Sequence, residues 1–337
     1  MLFSVITTIY QPTKCVSQLA VKHEDFDLEE IIVVGDFKGP DTYNLKKSIF
    51  LSFSDQLDRY QKLAQLIPCN HYARKNIGYL HAMNCGASTI YETDDDNAPL
   101  NGWVPRAINP INTRLILTGK KWINIYKFFT NENIWPRGLP VNESDNRGES
   151  LSLEKHVLQA PIQQGLVDRS PDVDAIWRLT NQEEFYFAKG MVQSVAVPVY
   201  TWCPFNSQST WWYPIAFPLL YIPSYCSFRM CDIWRSFIAQ RCLWELGYPI
   251  VYHPCEVEQI RNKHDNIADL KAEIPGMQYN SLIVETLSGL SLKSRPEDIA
   301  QNIITCYSAL IDNGIFPQKE LVVLDRWLEE IERVGCL

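Results

Sequence analysis

Apolar residues fall along this chain in two rhythms. Residues 3–9 (FSVITTI) and 31–34 (IIVV) are short β-rich runs that end in polar residues or glycine, the pattern of short buried strands. Residues 76–83 place Ile77, Leu80 and Met83 at helical spacing, and Gly86 closes that helix. Residues 87–93 (ASTIYET) then predict a strand running into Asp94, Asp95 and Asp96. Strand, connection, strand, helix, strand in this order predicts a parallel α/β half-sheet, in which ligands sit beyond the carboxyl ends of the strands. The acidic triplet falls at such an end.

From 97 to about 150 the chain is richer in Asn, Pro and Gly, which predicts loops with one or two short strands around Leu115 and Trp122. Strand-like runs return at 195–200 and 250–252, and between them residues 235–246 (RSFIAQRCLWEL) have helical spacing stopped by Gly247. The apolar stretch 213–223 carries three prolines and reads as a packed loop or strand. Roughly from 280 onward the pattern predicts two helices, 297–310 and 319–334, each introduced by a proline. The reading is therefore a large α/β unit, 1–275, split near residue 100, followed by a helical extension, 276–337.

Composition narrows the class. In 337 residues, 31 basic and 39 acidic side chains leave a net charge of −8, and 46% of positions are hydrophobic. A chain of this length and apolarity buries a large core, which excludes disorder as its main state. The 213–223 stretch is too short and too rich in proline to span a membrane, and Met1 is followed by a strand rather than a basic leader. The expectation is a cytoplasmic location for the chain as it stands. Basic residues are dispersed, which argues against a nucleic-acid partner. The ten cysteines form no CxxC pair and read as reduced core residues, with no zinc site expected.

Several constellations carry chemistry. Asp94 and Asp96 are two residues apart, so in an extended segment their side chains share one side and can hold a divalent cation; a solvated turn is the plainer alternative. Arg74 and Lys75, in YARKNIG (72–78), sit at a predicted helix start whose free N–H groups favour a phosphate. Asp36 and Lys38 end the second strand, and Thr7, Thr8 and Tyr10 end the first; together they offer a nucleoside site, though each alone is an ordinary loop residue. Asp232 lies in an apolar stretch with three arginines, as a salt-bridge partner of Arg229 or Arg235 or as a general base. His253 reads as structural, and His264, in a polar loop, could swing in as a metal ligand.

Taken together, the strings ITTIYQPT, VVGDFKGP, YARKNIGYLHAM, YETDDDN, IWPRGLP, QQGLVDRSPDVDAIWRLT, PFNSQST, FRMCDIWRSFIAQRCLWELG and VEQIRNKHD resemble the STELLO-type glycosyltransferase domain, in that family's order, over about residues 3 to 270. The resemblance implies a GT-A fold, a mixed, mainly parallel sheet flanked by helices. It also implies a UDP-sugar donor, glucose favoured, and a divalent cation, Mn2+ favoured over Mg2+. Asp94 and Asp96 then match the DXD carboxylates with Asp95 between them. Asp36 and Lys38 match the nucleoside-facing loop and Arg74 the arginine that neutralises diphosphate. Asp232 takes the place of the catalytic base, and His264 that of the carboxy-terminal metal histidine. Residues 1–100 become the nucleotide-binding half and 101–275 the acceptor half. Plant members of the family carry a long amino-terminal region with a Golgi anchor that is not present in this sequence, so a Golgi lumen location is expected only with such an anchor.

The reaction expected is transfer of a sugar to an acceptor hydroxyl on a glycan or glycoprotein, with inversion, Asp232 taking the acceptor proton. Residues 171–178 and 204–212 supply the acceptor wall, with Asp172, Asp174, Asn206 and Gln208 for hydroxyls and Trp177 and Trp211 for ring stacking; a core role for the tryptophans stands equally open. The rival is a non-catalytic GT-A-like domain that acts through protein contacts. A nucleotidyltransferase ranks last, because no glycine-rich phosphate loop follows the first strand.

Overall fold

The structure, a computed structural model, describes residues 1–108, 110–144, 152–188, 193–261 and 265–337. Strands β1 (Leu2–Thr7), β2 (Ile31–Val34), β3 (Ser48–Leu51) and β4 (Thr89–Thr93) pair in the order β3-β2-β1-β4, every ladder parallel. Helices α1 (Lys14–Asp25), α2 (Phe53–Ala64) and α3 (Lys75–Asn84) make the crossovers. All four residues of β2 and all five of β4 are buried, as expected of parallel strands covered on both faces. α3 lies so close to the sheet that a Cβ on Gly78 would stand 2.6 Å from methyl carbons of both Val5 and Val34. Glycine thereby seats this helix, and the residues that open it, against the strand ends.

Beyond β4 the sheet becomes mixed. The further strands are β5 (Asn97–Pro99), β6 (Ile111–Leu117), β7 (Ser152–Leu158), β8 (Ile162–Asp168), β9 (Val195–Val197), β10 (Ser209–Trp212) and β11 (Ile250–Gln259). They continue as β10-β8-β11-β9-β6-β7, with β5 on β11. β10 runs antiparallel to β4 and β8, while β8 and β11 are parallel. The α/β architecture is the GT-A-type arrangement, a mixed sheet flanked by helices with helices at the carboxyl end.

The remaining helices are α4 (Ala175–Thr180), α5 (Cys231–Trp244), α6 (Asn266–Ser288), α7 (Ile299–Asp312) and α8 (Lys319–Arg333). Every residue of α5 is buried, and this helix joins the sheet to the carboxyl-terminal helices. α6 differs from the sequence expectation: it is a helix of 23 residues running unbroken across 275/276, with Pro275 inside it. Ile267, Ile274, Met277, Tyr279 and Leu282 are exposed on it while Glu273 and Asn280 are buried, which blurs the helical period, and the proline argues locally against a helix that packing nonetheless maintains. α7 and α8 bury Ile303, Cys306, Val323, Leu324 and Trp327 in the same hydrophobic cluster as Val5, Ile77 and Phe237. The proline-rich 213–223 stretch is neither loop nor strand alone but contains a 3-10 helix, Pro214–Leu220. All ten cysteines are free thiols, and no described helix is long and apolar enough to cross a membrane.

Two buried charges brace this frame. Arg235 of α5 donates to both oxygens of Glu92 on β4, at 2.9 and 3.0 Å, and Trp212 Nε1 reaches the same carboxylate at 2.9 Å. A pair so enclosed stabilises only while all its members are present; its consequence here is that the start of α5 is fixed relative to the end of β4.

Candidate functional site

A cleft of about 500 Å3 opens at the carboxyl ends of β1, β2 and β4. Thr7, Thr8, Tyr10, Asp36, Lys38, Arg74, Asp94, Asp95, Asp96, Asp172, Gln208 and Asp232 all line it. Residues more than 200 positions apart are thus brought to one place by the parallel half-sheet on one side and the start of α5 on the other.

The acidic triplet is the centre of this geometry. Asp94 Oδ1 accepts from Lys75 Nζ at 2.9 Å and from the Tyr72 hydroxyl at 2.6 Å. Asp95 Oδ2 accepts from Thr8 Oγ1 at 2.5 Å, and Thr13 Oγ1 donates to the Asp95 carbonyl at 2.5 Å, tying the triplet to the end of β1 and the start of α1. Asp96 Oδ2 accepts from Gln259 Nε2 at 3.0 Å, but its Oδ1 is buried with no partner among the described residues. Burial, reinforced by the charges of Asp94 and Asp95, raises the Asp96 pKa to about 7; burial likewise raises that of Asp95. An orphaned carboxylate oxygen among crowded acids is the donor set a divalent cation would satisfy. Among the described residues no group of three His, Cys, Asp or Glu is arranged to hold a metal unaided, so such an ion would take only part of its coordination from them. His264, expected as a further ligand, lies outside the described residues.

The strand-end loops are built differently from the expectation for a nucleoside site. Asp36 accepts three backbone N–H groups: Phe37 and Asn70 on Oδ1 at 2.6 and 2.8 Å, and His71 on Oδ2 at 2.9 Å. It clamps the loop before α3 to the end of β2. Arg74 lines the cleft, yet Nε donates to Gln56 at 2.9 Å and Nη1 to the carbonyls of Ala64 and Ile67; Nη2 is buried with no partner among the described residues. Burial lowers its pKa. Lys75, the other predicted phosphate ligand, is fully buried and spends its ammonium on Thr93 O, Tyr72 and Asp94; it positions the first acid of the triplet.

On the opposite wall one arginine organises two acids. Arg137 donates through Nε and Nη2 to Asp172 at 2.7 and 2.9 Å, and through Nη1 and Nη2 to Asp232 at 3.1 and 2.9 Å. Burial alone would raise the Asp232 pKa, but the Arg137 charge and its hydrogen bonds outweigh this and hold it below the ordinary carboxylate value. The partner of Asp232 is therefore neither Arg229 nor Arg235: Arg229 pairs with Glu273 at 2.7 Å and Arg235 with Glu92. A chain of hydroxyls crosses the cleft floor. Tyr72 OH lies 2.6 Å from Asp94 and 2.6 Å from Ser207 Oγ, and Ser207 donates to Asp232 at 3.3 Å.

Four of the expected acceptor residues lie elsewhere. Trp211 is fully buried against Tyr91 and Trp103, at ring distances of 4.3 and 5.5 Å, with Nε1 on Glu256. Trp177 is buried against Phe185 and donates to Asn133 O. Asp174 caps α4 through the Trp177 N–H and accepts from Trp135 Nε1 at 2.6 Å. Asn206 is tied into Gln164 and the Gln208 N–H. Gln208 does face the cleft, and its Oε1 is buried without a partner. His253 is a core residue, bonded to Ser194 and Gln163. Sequence reasoning passed over Tyr72, Arg137 and Arg261 as site residues, and took in Ser207 and Arg178 only as members of the 204–212 and 171–178 segments. The only signal available for Arg137 was its place in the IWPRGLP string.

Comparison with known proteins gives an independent view. The sequence model of the STELLO glycosyltransferases matches residues 229–336, a stretch that includes Asp232. The chain is 28% identical over 326 residues to the protein named probable glycosyltransferase STELLO1 of Arabidopsis thaliana, covering 91% of this chain and 41% of that protein. It is 27% identical over 325 residues to probable glycosyltransferase STELLO2 of the same plant, covering 91% and 42%. The chain thus resembles the STELLO glycosyltransferases through nine tenths of its length, and it spans about two fifths of theirs.

Proposed function

We propose that this relative of the STELLO glycosyltransferases transfers a sugar, glucose favoured, from a UDP-linked donor to a hydroxyl of a glycan or glycoprotein, with inversion. The observation that carries the reading is the cleft at the parallel strand ends, where an incompletely satisfied acidic triplet faces an ionised aspartate across a hydroxyl chain. Asp94 and Asp96 would hold a divalent cation, Mn2+ favoured, which when bound offsets the charge that grows on the departing diphosphate. Lys75 and Tyr72 fix Asp94 in place for that task. Thr7, Tyr10 and Lys38 at the rim are within the same cleft for the nucleoside. Gln208 lines the cleft and would turn its Oε1, buried without a partner among the described residues, to a sugar hydroxyl.

Asp232 is the group in this account that would take the acceptor proton. It is ionised, lines the cleft and is held at a fixed angle by Arg137. That same grip favours a second reading, a binding domain without turnover, because a carboxylate whose pKa is pushed down by an arginine is a weaker base than one tuned toward neutrality. A donor screen separates the two. The full chain with Mn2+ is offered a panel of UDP- and GDP-sugars, and free nucleotide is measured with and without glycan acceptors. Release of UDP that rises with acceptor supports transfer. Nucleotide binding without release from any donor supports the binding domain.

A further inference from the structure

The cleft carries three arginines besides Arg137: Arg178 within α4, Arg229 just before α5, and Arg261 just after β11, next to the Gln259 and Ile260 that bond Asp96. Two of them have carboxylate partners. Arg229 donates to Glu273 at 2.7 Å, and Arg261 to Asp269 at 2.6 Å. Arg178 differs. Among the described residues it has no carboxylate partner; its Nη2 donates to the Pro171 carbonyl and its Nε is buried with no partner at all. Burial lowers its pKa to about 10; the charge of Arg261 adds to the shift, that of Asp172 opposes it and that of Arg229 adds a little more. A half-buried guanidinium in this state is a standing cost to the apo protein, since an unmet charged donor forfeits its solvation without recovering a bond. An anion seated against it would remove that cost and relieve the repulsion among the three arginines.

We infer that Arg178, with Arg229 and Arg261 beside it, forms a subsite for an anionic group, a carboxylate or a phosphate, on the acceptor sugar. The inference rests on the proposed assignment of the 171–178 wall to the acceptor. Arg178 follows directly on the PDVDAIW segment, and Asp172 of that segment is held by Arg137 in the same wall. The planar fork of arginine suits both carboxylate and phosphate oxygens. An acidic glycan would therefore be selected over a neutral one of the same ring geometry.

The test is a ligand-observed NMR titration of the full chain with glucose, glucuronate and glucose 6-phosphate, in diamagnetic Mg2+, with and without UDP. Both anions are expected to bind at least about tenfold more tightly than glucose, the scale of one charge-assisted contact. Arg178→Gln should abolish that preference, and Arg178→Lys should retain part of it, while neither variant melts below wild type and both keep its UDP affinity. Glucuronate and glucose 6-phosphate compared with each other tell carboxylate from phosphate. Equal behaviour of glucose and both anions, including binding by none of them, overturns the subsite, as does a preference that survives in Arg178→Gln. A loss of UDP affinity in Arg178→Gln matching the loss of anion affinity also overturns it, because the anion would then be the donor's own diphosphate. Failure of wild-type protein to bind UDP refutes the donor reading separately, since the anion preference is also read without nucleotide.

Discussion

Arg137 holds Asp232 with both terminal nitrogens, at 3.1 and 2.9 Å, and holds Asp172 at the same time. One guanidinium therefore serves two carboxylates, one from the start of α5 and one from the loop between β8 and α4. The arrangement changes what a substitution can reveal. If Asp232 loses its charge, Arg137 still has Asp172.

Asp232→Asn should accordingly fold and melt close to wild type, below the roughly 3–5 kcal/mol cost of breaking a buried pair outright. Its transfer rate should fall by about a hundredfold or more, the scale of general-base loss. Arg137→Met strands two buried carboxylates and should lose at least about 3–5 kcal/mol in denaturant unfolding. Melting temperature and transfer rate on the two variants check this. A stable Asp232→Asn protein that remains fully active rejects Asp232 as the base.

Asp96 makes a pH prediction with a defined sign. Its folded pKa is about 7 against an ordinary 3.8, so the folded apo protein holds a proton that the unfolded chain releases. Stability from this group is present below 3.8 and is lost as pH rises toward 7. A cation must displace the same proton, so Mn2+ affinity should fall by about tenfold per pH unit below 7. Asp96→Asn should melt higher than wild type at pH 8 without metal, and added Mn2+ should no longer raise its melting temperature. Thermal melts at pH 5 to 8 with and without Mn2+ decide it, and a metal response independent of pH contradicts it.

Strands β1, β2 and β4 were legible as short β-rich runs closed by glycine or polar residues; β3, with a polar start and partly exposed residues, was not, nor were α1 and α2. The place of the acidic triplet after β4 was legible, but its side-chain directions were not: Asp95 and Asp96 lie in a turn rather than an extended segment, and Asp94 and Asp96 go to Lys75 and Gln259 respectively. Trp177 and Trp211 were not, since a tryptophan reads alike in sequence whether it faces a sugar or packs on Tyr91 and Trp103. Lys75 shows the same limit for charge: at a helix start it resembles a phosphate ligand, but burial under β4 turns it to Thr93 and Asp94. Arg137 acquires its meaning from a partner far along the chain, Asp232, which no local spacing encodes. α6 was hidden because Pro275 breaks the local pattern that tertiary packing against Met230 and α5 restores.

The most direct measurement of the central claim is a calorimetric titration of UDP into the full chain, with and without Mn2+, for wild type, Asp94→Ala and Asp96→Ala. The account predicts tight binding by wild type only with Mn2+, and loss of that metal-dependent increment in both variants while their melting temperatures show an intact fold. UDP affinity that is indifferent to Mn2+, or unchanged in either variant, would contradict a metal-assisted nucleotide-sugar site at the acidic triplet.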